Sequence, residues 1–217
     1  MDSPREEYFV RWRVEPREMD ALWAGGWRHF GPVFFRYRSA VYGGRGCTVM
    51  PLRVDLARFA PSRSQRRVTA RNRDAEVTFG PTAVTAELER MFERHRGRFT
   101  FEVPDSLEQF LSFEPSSVPC PNVTVLVRLG GRPAAASFLD VGREATSAVY
   151  AMFDPAESRR SLGIFTMLEA IRYSRATGRR YYYPGYACRE PSLYDYKKNF
   201  AGLEHFDWRG AWHQLDG

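Results

Sequence analysis

The chemistry available to this chain is concentrated in arginine, tyrosine and one glycine-bearing loop. Six arginines (Arg58, Arg63, Arg66, Arg67, Arg71 and Arg73) fall between residues 58 and 73 with no acid among them. A guanidinium grips phosphate with parallel hydrogen bonds, so this density suits a polyanion; a solvated basic helix face is the plain alternative. Farther on, Arg160-Ser161-Leu162-Gly163 stands where a strand-like run gives way to a helical one. The free N–H groups of a first helical turn bind anions, and glycine lets a ligand come close to the backbone. Tyr183-Pro184-Gly185-Tyr186 ends another strand-like run, and Tyr196-Lys197 follow. Tyrosine can stack on a base or donate a hydrogen bond, and Lys197 can pair with a phosphate. Asp154, ahead of Pro155, can orient an amine or cap a turn. The four histidines (His29, His95, His205, His213) lie in unrelated contexts, and no Cys–His or Ser–His–Asp arrangement is evident. A reaction built on these residues would have no strong side-chain nucleophile.

Positioning such groups takes a folded core, and the pattern supplies one. Ser62 or Ser64 can cap a helix over 62–76, which would put Arg63, Arg67 and Arg71 on one face. Helices are also expected over 85–96, ended by Gly97, and over 106–113, with a boundary at 118–121. Three strand-like runs follow, near 122–130, 132–141 and 146–154, as an antiparallel meander. A helix over about 160–177 carries the apolar stripe Ile164, Leu168 and Ile171, and a strand over 179–186 comes next. Before all this, residues 1–60 are aromatic and strand-like. They have turn glycines at Gly26, Gly31 and Gly43-Gly44, a β-prone run from Val33 to Tyr37 and an extended stretch from Val49 to Phe59. The order meander, helix, strand, helix reads as an α+β fold with one crossover.

Composition narrows the setting. With 217 residues, 43% of them hydrophobic, the chain can bury a substantial core. Lys and Arg number 32 against 26 Asp and Glu, a net charge of +6. No run reaches the roughly 18 apolar residues needed to span a bilayer, and the start, MDSPREEY, lacks an apolar signal segment, so a cytoplasmic, membrane-free protein is expected. Cys47, Cys120 and Cys188 are far apart and odd in number, which favours reduced thiols over a disulfide scaffold and gives no metal-knuckle spacing.

Five segments occur together in order: Gly26-Trp27-Arg28-His29-Phe30-Gly31; Pro61-Ser62-Arg63-Ser64-Gln65-Arg66-Arg67 with Arg71-Asn72; Phe153-Asp154-Pro155 with Arg160-Ser161-Leu162-Gly163; Tyr183-Pro184-Gly185-Tyr186; and Tyr196-Lys197 with Phe200. From about residue 20 to about 205 this order resembles the arginyl-tRNA–protein transferase family and its bacterial leucyl-transferring relatives. The resemblance implies a GNAT-like mixed sheet flanked by helices, with residues 1–60 as a shortened N-terminal segment packed on a transferase core over 61–217. It implies aminoacyl-tRNA as co-substrate, no cofactor, and peptide or amide bond formation on a protein N-terminus or a small-molecule amine. Arg28, Arg63, Gln65, Arg66, Arg67, Arg71, Arg160, Ser161, Gly163, Tyr183 and Lys197 would bind tRNA or substrate; Tyr186, Tyr196 and Asp154 would serve catalysis. The family's cysteine-bearing segments are reduced here to Cys47, with Val41 and Gly44 where others would stand, so no metal is expected. Phe165 holds the place of the small residue that a CoA pyrophosphate loop needs, which argues against an acyl-CoA N-acyltransferase. That activity and a non-catalytic RNA-binding module are the alternatives.

Overall fold

The computed structural model describes residues 6–42, 44–99 and 103–215; the expected turn residue Gly43 and the start of the charged N-terminal run lie outside them. In chain order the elements are β1 (Glu6–Val10), α1 (Pro16–Ala24), β2 (Arg28–Phe30), β3 (Val33–Tyr37), β4 (Ser39–Tyr42), β5 (Arg45–Asp55) and α2 (Arg63–Arg71). They continue with β6 (Glu76–Pro81), α3 (Ala86–Arg96), β7 (Asn122–Leu129), β8 (Arg132–Val141), β9 (Ala145–Phe153), α4 (Leu162–Ala176), β10 (Tyr181–Cys188), β11 (Leu203–Phe206) and β12 (Trp212–Gln214). The nine-stranded sheet runs β12-β11-β5-β10-β9-β8-β7-β6, with β4 also paired to β5, and β1-β3-β2 form a separate small sheet. All recorded pairs are antiparallel except β9 with β10. That parallel pair is joined through α4, the crossover read from sequence.

Alternation along the strands sorts the core onto two faces. Val125, Val127, Ala135 and Leu139 pack with Leu162, Phe165, Leu168 and Ile171 of α4. Their neighbours Ala136, Phe138 and Met152 meet Leu88, Met91 and Phe92 of α3 on the other side. Such side chains contribute about 1.5–3 kcal/mol each on burial. The α+β expectation therefore holds, and several local expectations change. The helix expected over 62–76 stops at Arg71, because Asn72 turns its side chain back onto Val68 O and Arg160 O. Over 106–113 only a 3-10 turn forms at Leu107–Gln109. The boundary drawn at residue 60 does not separate two units, since β5 is an inner strand between β11 and β10. β5 also corrects the cysteine reading. Cys188 pairs in register with Val49, and Cys47 and Cys188 form a disulfide with Cα atoms 5.3 Å apart. Their sequence separation of 141 hid this from any reading by spacing. Cys120 is free and buried.

Candidate active site

The strand-like run that ends in Tyr-Pro-Gly-Tyr opens the sheet. β10 pairs with β9 only from Tyr181 to Tyr183, against Ala145 to Ser147. Pro184 has no N–H to give, and Gly185 takes φ +96°, a conformation glycine adopts without the Cβ penalty. The register of β10 against β5 shifts at the same place, between Tyr182 and Gly185. Beyond this irregularity β10 stays with β5 and leaves β9, so a wedge opens between two formerly adjacent strands.

Two cations reach this wedge from distant parts of the chain. Arg28 of β2 donates to Ser147 Oγ and to the carbonyl of Ala148 on β9. Lys197, from the turn at Asp195–Asn199, donates to the carbonyl of Tyr186 at 3.1 Å. A Cβ built on Gly185 would sit 3.4 Å from Lys197 Nζ and 3.8 Å from Arg28 Nη2. Burial of the ammonium, and then the Arg28 charge, pull the Lys197 pKa down to about 7. The Tyr182 hydroxyl is buried without a hydrogen-bond partner, and burial, then Tyr196, raise its pKa above the usual phenol range. Burial raises the Tyr196 hydroxyl as well, followed by its neighbour Tyr194.

A second feature lies at the head of α4. An open basin of about 910 Å³ is lined by Ala70, Arg71, Arg73, Asp74, Arg159 and Arg160. Ser161 enters α4 in the left-handed region, φ 56° and ψ 45°, and makes no side-chain cap. The N–H groups of Ile164 and Phe165 turn back to the Ser161 carbonyl. Those of Leu162 and Gly163 have no hydrogen bond recorded among the described residues, the condition for an anion at a helix start. Gly163 is not required by packing, as a Cβ there meets only Phe153 Cε1 at 3.8 Å.

The residues singled out by sequence fall into distinct groups. Arg63, Arg66 and Arg67 are exposed on the outer side of α2, with only Arg66 tied back, to the carbonyl of Pro61. Gln65 is not free for tRNA. It is buried in a capping box with Ser62, and its Nε2 donates to the carbonyl of Asn199. Arg71 donates to the carbonyl of Arg159 and to Ser161 Oγ, so it and Ser161 shape the basin. Arg160 holds Asp74 through two bonds of 2.8 and 3.0 Å, which stitches the end of α2 to the loop before α4.

The catalytic expectations for two residues change. Asp154 caps the following turn through Ala156 N and accepts from Arg94 Nε at 2.9 Å, the turn-capping alternative that the sequence offered. Tyr186 donates its hydroxyl to the carbonyl of Gly26 at 2.6 Å and packs among aromatic rings, joining the Gly-Trp-Arg segment to β10. Tyr183 cannot stack on a base, because it is buried against Trp23 and Trp212. Phe165 is also buried, in the core beneath α4, so it does not crowd the loop, and the steric case against CoA lapses.

Sequence reasoning passed over His29 and Asp140. Both are buried, 2.7 Å apart, with Asn122 Nδ2 on the other carboxylate oxygen and the Gly31 carbonyl beside His29 Nδ1. Together with Cys120 they are the one group of potential metal ligands among the described residues, their ligand atoms within 4.8 Å of one another. No ligand spacing connects them in sequence. Their hydrogen bonds account for both ring nitrogens and both carboxylate oxygens, the pattern of a buried structural bridge between β2 and β8.

Comparison with known proteins bears on the family and the fold. The family profile "Arginine-tRNA-protein transferase, C terminus" matches residues 87–207. An aspartate/glutamate leucyltransferase of Stenotrophomonas maltophilia is 35% identical over 203 residues, covering 88% of this chain and 77% of its own. One from Thiobacillus denitrificans is 32% identical over 208 residues, covering 94% and 83%. Among solved structures, the C-terminal domain of a putative lysylphosphatidylglycerol synthetase from Agrobacterium fabrum superposes with a TM-score of 0.51 at 18% identity, over 64% of this chain and 46% of that one. A GCN5-related glucosamine N-acetyltransferase region of a fungal enzyme gives a TM-score of 0.50 at 14% identity, over 87% and 22%. These two likenesses bear on the fold alone, and that fold is GNAT-like. No described helix is long and apolar enough to cross a membrane. The chain belongs to the arginine-tRNA-protein transferase family, in its leucyltransferase branch, and is an aminoacyl-tRNA-dependent aminoacyltransferase.

Proposed function

We propose that this enzyme moves a leucyl group from leucyl-tRNA to the α-amine of a peptide or protein that begins with aspartate or glutamate. The observation that carries the reading is the pairing of an arginine-lined basin at the head of α4 with a wedge between β9 and β10. The basin suits the phosphates of a tRNA end, and the wedge suits the acyl ester and the amine. The names of the relatives supply the leucyl donor and the acidic acceptor.

The reaction asks little of a nucleophile. The neutral amine attacks the ester carbonyl, a C–N bond forms, and the ester C–O bond breaks. The ribose hydroxyl leaves with a proton, and the amine has given one up. Holding the two reactants in line supplies much of the acceleration.

The test is labelled leucyl-tRNA, other charged tRNAs and labelled acetyl-CoA, each with peptides beginning Asp, Glu or Ala and with small amines. Leucyl transfer to the Asp and Glu peptides, abolished by ribonuclease, is the expected result. Turnover with acetyl-CoA, or transfer only to small amines, would replace this reading.

A further inference from the structure

We infer that Arg28 and Lys197 form a carboxylate receptor for the acidic side chain of the acceptor's first residue. This rests on the acceptor proposed above and assigns its recognition to two side chains.

The basis is an unbalanced charge. Arg28 is bonded to a hydroxyl and a carbonyl, and Lys197 to a carbonyl, all neutral acceptors. Among the described residues neither forms an ion pair. Asp140, whose field reaches Arg28, is already committed to His29 and Asn122. Two cations withdrawn from water at one point repel each other and lack a counter-ion, an arrangement that costs free energy until an anion enters. Gly185 keeps the intervening space clear, for even a methyl there would touch Lys197 Nζ.

A guanidinium and an ammonium beside one small space match the two oxygens of a carboxylate. The phosphate site proposed above is a separate basin, at the head of α4. Lys197, with a pKa near 7, becomes fully charged when a carboxylate arrives. Binding therefore takes up protons and weakens as pH rises above 7, with Arg28 the charge whose field reaches Lys197 and Tyr194 the ring beneath it.

The experiment has a turnover arm and a binding arm. Peptides beginning Asp, Glu, Asn and Gln are compared as acceptors of leucyl-tRNA, and the same peptides are titrated into the enzyme calorimetrically. The wild type is expected to favour acid over amide by about a hundredfold, because a site built around a charged group rejects the isostere that lacks it. Lys197→Met should bring the ratio below about tenfold through the KM of the acidic peptides, with tRNA affinity unchanged, and Lys197→Arg should restore part of it. Arg28→Met should act in the same direction; since Arg28 also ties β2 to β9, its melting temperature is measured alongside.

Equal loss with acid and amide peptides in Lys197→Met would overturn the assignment. So would a fall in tRNA affinity without a change in peptide KM, which would move these cations to a tRNA phosphate. If no peptide accepts a leucyl group but Asp peptides still bind in preference to Asn peptides in a Lys197-dependent way, the receptor stands and the proposed reaction falls. Equal calorimetric affinity for Asp and Asn peptides would sink the receptor whatever the turnover.

Discussion

The clearest quantitative consequence concerns the outer face of α2. Arg63 and Arg67 stand one turn apart, about 6 Å along the axis at 1.5 Å per residue, and no bond to either is recorded among the described residues. They are free to meet phosphates in a way that Arg71 and Arg160 are not. The double change Arg63→Ala/Arg67→Ala keeps the Ser62–Gln65 capping box and adds two good helix formers, so the fold should tolerate it. Each phosphate contact contributes about 0.7–0.9 to the slope of log affinity against log salt, so the variant's slope should be shallower by about 1.4–1.8. Between 50 and 200 mM salt, a fourfold range, the wild type's advantage should then shrink about tenfold. The assay is anisotropy of labelled leucyl-tRNA at four salt concentrations. Arg71→Ala is the contrast: it breaks bonds to the Arg159 carbonyl and Ser161 Oγ, so it should lower the melting temperature and disturb the α4 loop. An unchanged slope in the double variant would refute the phosphate reading and leave α2 with a merely solvated basic face.

Three further outcomes are expected. His29→Ala leaves Asp140 buried without its partner and should cost about 3–5 kcal/mol in urea unfolding, whereas a loss below about 1 kcal/mol would show the bridge to be incidental. Gly185→Ala forces an L-residue to φ +96° at about 1–3 kcal/mol. It also crowds Lys197, so kcat/KM should fall more than tenfold at temperatures where the variant is still folded; full activity would mean the space beside Gly185 is not used. Burial holds the His95 pKa near 4 against about 6.5 in the unfolded chain. Between those values the unfolded chain takes a proton that the folded one refuses. Stability therefore falls as pH drops from 6.5 toward 4, by about 2 kcal/mol after solvent screening, and this residue adds no slope above 6.5. Urea midpoints across that range should lose this pH dependence in His95→Gln, and a persisting slope would assign it to other groups.

What the sequence determined by itself was the local part of the molecule. The strand-like runs near 122–130 and 132–141, the stripe along α4 and the cap at Ser62 are short-range signals, written within one element and read there. The five ordered segments also pointed to the family and its fold, since their order survives without any knowledge of contacts. Arg28 and Lys197 were recognisable as residues of interest, but their meeting at Gly185 was not. Only the tertiary structure decided that β5 belongs inside the sheet, that Cys47 faces Cys188, and that Tyr183 and Phe165 turn into the core. It also decided which arginines are spent, as Arg160 is on Asp74, and which remain free, as Arg63 and Arg67 are. The reason is physical. A side chain's type sets what it can bind, whereas its burial and partners come from elements far away in sequence, and those two properties turn a lysine near an arginine into a site.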